Sequence, residues 1–148
     1  MPSTILHGNA VALDPGLLQQ LWQAALAAQT KAYAPYSRYA VGAAIVDEWG
    51  VIHSGCNVEN AAYPQGWCAE ASALSALVMS GARRARGVLV VGTGAAWITP
   101  CGGCRQKLRE FCDPDSVIVS ANWDAIGPAY TMDQLLPHSF GPDHLKDL

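Results

Sequence analysis

The alternation of strands and helices along most of the chain is the feature that most constrains its fold. Asp14 and Pro15 are a typical cap and first residue of a helix, and apolar residues recur at helical spacing after them. The sequence next predicts two strands within residues 39–60 and a helix at 68–81. It then predicts a strand at 87–93, a helix at 104–111 and a strand at 116–122. Residues 130–145 are mixed, with a short helix and a tail. This order predicts an α/β layered domain with parallel strand pairing in its later half.

Cysteines stand at two of the predicted strand-to-helix junctions, Cys68 at one and Cys101 with Cys104 at the other. Backbone N–H groups and the positive end of a helix dipole stabilise thiolates there. The Cys-x-x-Cys spacing of Cys101 and Cys104 is used both by zinc sites and by redox pairs. Cys68 would complete an open site with three protein ligands, which is the catalytic arrangement of zinc, and Glu70 beside it could transfer protons. The alternative is that Cys68 is a core thiol and Glu70 an ordinary charge at a helix start.

Composition and charge argue against several classes of partner. A net charge of −3 provides no electrostatic footprint for nucleic acid, and no apolar run approaches the ~20 residues that span a membrane. The start of the chain lacks the basic residues of a secretory signal, and five cysteines favour reduced thiols over a disulfide framework. We therefore expect a cytoplasmic protein with no nucleic-acid or membrane partner. Since no repeat or linker interrupts the 148 residues, we also expect one domain over residues 1–148.

The sequence CAE at residues 68–70, followed by PCGGC at 100–104, has the zinc-binding signature of nucleobase deaminases. The stretches PYSRYAVGAAIV, GCNVENAAYPQGWCAE, TPCGGCRQKLREF and LLPHSFGPDHL extend the likeness over nearly the whole chain. In order and spacing they resemble the small homotetrameric cytidine deaminases. The resemblance implies a three-layer α/β/α sandwich around a mixed five-stranded sheet. It also implies hydrolysis of cytidine and 2′-deoxycytidine to the uridine forms with release of ammonia, as in pyrimidine nucleoside salvage.

The resemblance further implies a role for each matching residue. Cys68, Cys101 and Cys104 would bind one Zn²⁺ per subunit as thiolates. A zinc-bound hydroxide would attack C4 of the pyrimidine while Glu70 shuttles protons. The implied substrate-binding residues are Asn57, Glu59, Asn60, Tyr63, Tyr39, Ala69 and Phe140. Among them, the amide and carboxylate of the NVEN segment would bind the ribose hydroxyls, and the C-terminal aromatic would reach a neighbouring subunit's site in the homotetramer.

Ala71 departs from this pattern, because three-cysteine members commonly carry an arginine there that donates hydrogen bonds to the thiolates. Zinc with three thiolates has a charge of −1, so a bound water should be less acidic without a nearby cation. Helix N-terminal N–H groups, Arg105 folding back, or an arginine from another subunit could compensate.

Other functions remain open at this point. One alternative is a deaminase of a modified aminopyrimidine nucleoside, and another is a non-catalytic zinc-containing assembly protein. A thiol redox protein would form a reversible disulfide between Cys101 and Cys104 and would work without zinc.

Overall fold

The computed structural model describes residues 13–146. Its strands are β1 (Gly42–Asp47), β2 (Ile52–Cys56), β3 (Ala85–Val91), β4 (Cys112–Ala121) and β5 (Ile126–Thr131). Its α-helices are α1 (Pro15–Gln29), α2 (Ala69–Met79), α3 (Gly102–Phe111) and α4 (Met132–Leu135), and short 3₁₀ helices occur at Tyr63–Gln65 and Pro142–Leu145. The sheet order is β2-β1-β3-β4-β5, with β3 and β4 parallel and the other neighbours antiparallel. The predicted mixed sheet is confirmed.

Helix α1 begins where the sequence predicts. The Asp14 carboxylate accepts a hydrogen bond of 3.1 Å from the Leu17 N–H, and Pro15 occupies the first turn, where its missing N–H costs nothing. The helix backbone lies so close to the sheet that a Cβ at Gly42 would press on the Ala25 carbonyl. This close approach covers one face of the sheet.

The neighbouring interior strands β1 and β3 are buried on both faces, and their side chains alternate between two apolar clusters. One cluster joins the sheet to α1, and its strand residues include Ala44, Val46, Leu89 and Val91. The other joins the opposite face to α2, α3 and α4, and its strand residues include Ala43, Ile45, Val88 and Val90. The molecule is therefore the predicted three-layer α/β/α sandwich. No helix within residues 13–146 has both the length and the apolar character needed to cross a membrane.

Strand β5 is the element that the residue pattern missed. Gly127 and Pro128 are typical breakers of regular structure, so this segment gave no strand signal. In the structure β5 is an edge strand beside a bulge between Val119 and Ala121, where a proline without an N–H is tolerated. Gly127 lies under the ring of Trp97, whose Cδ2 would stand 2.6 Å from a Cβ at that position. Packing against Trp97 thus accounts for Gly127, and the edge position accounts for Pro128.

Candidate active site

The thiols of Cys68, Cys101 and Cys104 come together where α2 and α3 begin. Cys68 and Cys101 are the residues that cap these two helices, and Cys104 lies in the first turn of α3. The three sulfurs lie within 4.8 Å of one another, and the Cys68 and Cys101 sulfurs are 3.9 Å apart. Thiolates about 2.3 Å from a tetrahedral zinc are separated by roughly 3.8 Å. The set therefore fits Zn²⁺ with a fourth position open.

Burial and local hydrogen bonds set the protonation of these thiols. Burial raises the pKa of Cys104 far above its ordinary value, and burial is also the largest cause of the raised pKa of Cys68. At Cys101 burial acts in the same direction, but hydrogen bonds from the Cys104 backbone N–H and from the neighbouring thiols outweigh it and lower the pKa. A metal that binds three thiolates here must displace the protons that the raised pKa values of Cys68 and Cys104 retain on those thiols.

Glu70 is the second residue of α2 and is only 5% exposed. Burial raises the pKa of its carboxyl, and its own backbone N–H, the Cys104 thiol and the charge of Lys107 offset part of that effect. The carboxyl therefore lies beside the metal-binding thiols rather than in solvent. This is the position from which a carboxyl can exchange protons with a group held at the open metal position.

A pocket of about 760 Å³ opens from this point to the surface. The predicted site residues that line it are Tyr39, Asn57, Glu59, Asn60, Tyr63, Cys68, Ala69, Glu70 and Cys101. Cys104 lies beneath the pocket and is fully buried. Phe140 does not line it; this ring is 57% exposed and stacks on His144 with a centroid distance of 5.3 Å. The structure thus brings the predicted residues together except for the C-terminal aromatic.

Asn57 and Glu59 hold the segment that forms one wall of the pocket. The Asn57 side chain accepts a hydrogen bond of 2.8 Å from the Val41 N–H and donates one of 2.8 Å to the Tyr39 carbonyl. Glu59 accepts hydrogen bonds from the backbone of Tyr36 and Ser37, at 2.9 and 3.1 Å, and from the Ser37 hydroxyl. The Ser37 hydroxyl is the main cause that lowers the pKa of Glu59, so this carboxylate is ionised at neutral pH.

The remaining predicted residues lie nearer the pocket mouth. The Asn60 side chain accepts a hydrogen bond of 2.9 Å from the Ala62 N–H. Tyr63 is 74% exposed, and its ring meets that of Tyr36 edge-on with a centroid distance of 5.8 Å. These contacts shape the entrance to the pocket and leave aromatic surface open around it.

Eight lining residues were missed by reasoning from the sequence. They are Tyr36, Ser37, Val41, Val58, Gly66, Trp67, Ile98 and Thr99. Trp67 directly precedes Cys68, and Ser37 lies inside the PYSRYAVGAAIV stretch that resembles the family, so position alone could have identified both. Ile98 carries no such signal, because only the fold places it in the same pocket as Asn57.

Arg105 does not fold back on the thiols in place of the missing arginine at Ala71. Its guanidinium donates to the Pro100 carbonyl, the Leu135 carbonyl and the Thr99 hydroxyl. Within residues 13–146, no arginine donates a hydrogen bond to any of the three sulfurs. The helix N-terminal N–H that reaches the Cys101 sulfur is the compensation that the structure contains.

Comparisons with known proteins agree with this geometry. The family model described as the cytidine and deoxycytidylate deaminase zinc-binding region matches residues 16–121. The cytidine deaminase of Sporosarcina psychrophila is 38% identical over 119 residues, which cover 80% of this chain and 88% of the relative. A solved cytidine deaminase from Burkholderia pseudomallei is 41% identical, with a TM-score of 0.77 over 82% of this chain and 98% of that one. This chain therefore belongs to the cytidine deaminase family.

Proposed function

We propose that this protein is a zinc-dependent deaminase that converts cytidine and 2′-deoxycytidine, with water, to uridine and 2′-deoxyuridine plus ammonia. The observation that carries the proposal is the juxtaposition of three thiols within 4.8 Å with the buried Glu70 carboxyl at the inner end of a pocket. A structural zinc site would be closed by a fourth protein ligand and would have no use for this carboxyl. Relatives named as cytidine deaminases support the same assignment.

Each residue at the inner end has a distinct task in this proposal. Cys68, Cys101 and Cys104 hold the zinc, which when bound supplies a Lewis acid that makes water nucleophilic near neutral pH. Glu70 takes a proton from the attacking water at a carboxylate oxygen and passes it to N3 of the base. The same carboxylate then takes the remaining proton from the oxygen that has bonded to C4 and delivers it to the amino group, so the C4–N bond breaks, ammonia leaves and the C4 carbonyl forms. One residue thus serves as base and as acid.

Asn57 and Glu59 bind the sugar hydroxyls at the other end of the pocket. Three donors already occupy the Glu59 carboxylate, which has about four lone-pair sites and can therefore accept one further hydrogen bond. Asn57 likewise retains one amide hydrogen and one lone pair beyond its two backbone contacts. Because Glu59 is ionised, it repels a phosphate group, and the substrates are nucleosides rather than nucleotides.

The proposed assembly is a homotetramer in which neighbouring copies cover the open pocket mouths. Tyr36, Tyr63 and Trp67 at the mouth are 48%, 74% and 49% exposed, which is a large aromatic surface to leave in water. Phe140 projects from the C-terminal segment and in this assembly reaches a neighbour's site. Light scattering after size-exclusion chromatography tests the assembly, and a fully active monomer would refute it.

The five free cysteines support a reducing compartment, and pyrimidine nucleoside salvage in the cytoplasm is the proposed setting.

Loss of ultraviolet absorbance from cytidine, measured on zinc-loaded protein, tests the proposed reaction. Glu70→Gln is the decisive variant, because glutamine has the shape of glutamate but cannot carry protons. We expect it to bind zinc normally and to lose about 10²- to 10⁴-fold in kcat, the usual contribution of general acid–base catalysis. Failure of the zinc-loaded parent to deaminate either nucleoside would refute the proposal, as would a Glu70→Gln variant with undiminished activity.

A further inference from the structure

We propose that Arg105 is a positioning residue that holds the Cys101 thiol in place for zinc. Cys101 is the exposed member of the three thiols, whereas Cys104 is buried and Cys68 half-buried. The Cys101 sulfur accepts a hydrogen bond from the Cys104 backbone N–H, but that contact acts on the thiol and does not fix the peptide group that precedes it. The segment that leads into this exposed ligand must therefore be held by another residue. The inference rests on the zinc site of the proposed function but not on the identity of the substrate.

The Arg105 guanidinium forms hydrogen bonds to the segment that leads into Cys101. Its Nε donates a hydrogen bond of 2.7 Å to the Pro100 carbonyl, which belongs to the peptide group joined to the Cys101 nitrogen. One terminal nitrogen donates a hydrogen bond of 2.6 Å to the Thr99 hydroxyl. The backbone N–H of Arg105 also bonds to the Cys101 carbonyl at 2.9 Å. The peptide groups on both sides of Cys101 are thus tied to one residue.

The other terminal nitrogen of Arg105 connects this segment to a separate element, α4. It donates a hydrogen bond of 2.8 Å to the Leu135 carbonyl at the end of α4, where helix carbonyls lack partners and the dipole favours a cation. A guanidinium is planar, so its donors have fixed relative directions. Arg105 therefore sets the distance between the end of α4 and the loop before α3. Lysine carries its three donors on one nitrogen, so it cannot reproduce contacts that Arg105 makes from three separate nitrogens.

Zinc affinity of the purified protein, measured in competition with a chromophoric chelator, tests this role without any substrate. We expect Arg105→Gln and Arg105→Lys both to bind Zn²⁺ about 10- to 100-fold more weakly, the range found when a residue that orients a metal ligand is removed. Arg109→Gln is the matched control. Arg109 lies one turn later on α3 and bonds to Ser139 and Asp143, so its loss removes a comparable network far from the thiols. Its zinc affinity should equal that of the parent.

Cobalt substitution supplies a second readout that separates positioning from general stability. The absorption bands of Co²⁺ bound by thiolates depend on ligand geometry, so they should shift in both Arg105 variants and stay unchanged in Arg109→Gln. Parent-like zinc affinity and cobalt bands in a folded Arg105→Gln would overturn the inference. Failure of both Arg105 variants to fold with zinc present would also overturn it, since Arg105 would then support the whole fold rather than one ligand. Weak zinc binding with normal cytidine turnover at saturating zinc would uphold the inference, whereas absent turnover in the parent would count only against the proposed substrate.

Discussion

Replacing Asn57 by alanine should disorder one wall of the pocket without touching the metal ligands. The substitution removes the 2.8 Å bonds to the Val41 N–H and the Tyr39 carbonyl. Each such bond contributes about 0.5–1.5 kcal/mol net, so the wall loses about 1–3 kcal/mol. Because the proposed reaction needs this wall in place to hold the nucleoside, kcat/KM for cytidine should fall about 5- to 150-fold, since about 1.4 kcal/mol corresponds to a factor of ten.

Asn60→Ala provides the control for this prediction. Its side chain makes one 2.9 Å bond to the Ala62 N–H, so about 2- to 12-fold is the expected loss. Asn57→Asp should be no better than Asn57→Ala, because aspartate keeps an acceptor for the Val41 N–H but turns a second acceptor toward the Tyr39 carbonyl. Zinc content should match the parent in all three variants. A smaller loss of kcat/KM in Asn57→Ala than in Asn60→Ala would refute the reasoning.

Three further predictions concern stability and metal. Burial raises the pKa of Asp47, but hydrogen bonds from His53 and two backbone N–H groups outweigh burial, so the pKa is lowered. The ionised carboxylate therefore stabilises the fold, and the urea midpoint should fall as the pH drops below about 3.9. This fall should be weaker in Asp47→Asn. An unchanged acid dependence in that variant would contradict the assignment. Gly42→Ala should cost about 1–3 kcal/mol by overpacking against Ala25, seen as a lower Tm, and an unchanged Tm would show that the helix can shift freely. Removing zinc with a chelator should abolish deamination and lower Tm, and added Zn²⁺ should restore both; turnover by metal-free protein would exclude a zinc-dependent reaction.

Local signals in the sequence were sufficient for the elements that depend on neighbouring residues. The cap at Asp14 and the helical start after Cys68 are set by backbone groups within one turn, so residue type predicts them. The zinc cluster was predictable for a related reason. Its ligands stand at helix starts. The starts of α2 and α3 follow β2 and β3, which run in the same direction because both are antiparallel to β1, so the two starts lie at the same edge of the sheet.

Features that depend on distant contacts could not be predicted in the same way. Strand β5 forms by pairing with β4, and Gly127 within it makes room for the ring of Trp97. No local pattern predicts either contact. The direction of Arg105 depends on the Leu135 carbonyl 30 residues away, so an interaction with the thiols was an equally sound expectation from the sequence. The exposed position of Phe140 outside the pocket of its own chain likewise depends on how the C-terminal segment packs, which no local pattern predicts.

The zinc cluster also has a consequence for the unfolded chain. Cys68 and Cys101 are 33 residues apart, so a metal held by both closes a loop that contains the whole of α2 and β3. By chain-entropy reasoning, a closure of this length restricts the unfolded ensemble by about 4 kcal/mol, comparable to a disulfide. A chain that keeps its metal while it unfolds would retain this restriction and refold from a smaller set of conformations. The bound metal would then act as a reversible cross-link that reduces the number of conformations the chain samples before it regains the native topology.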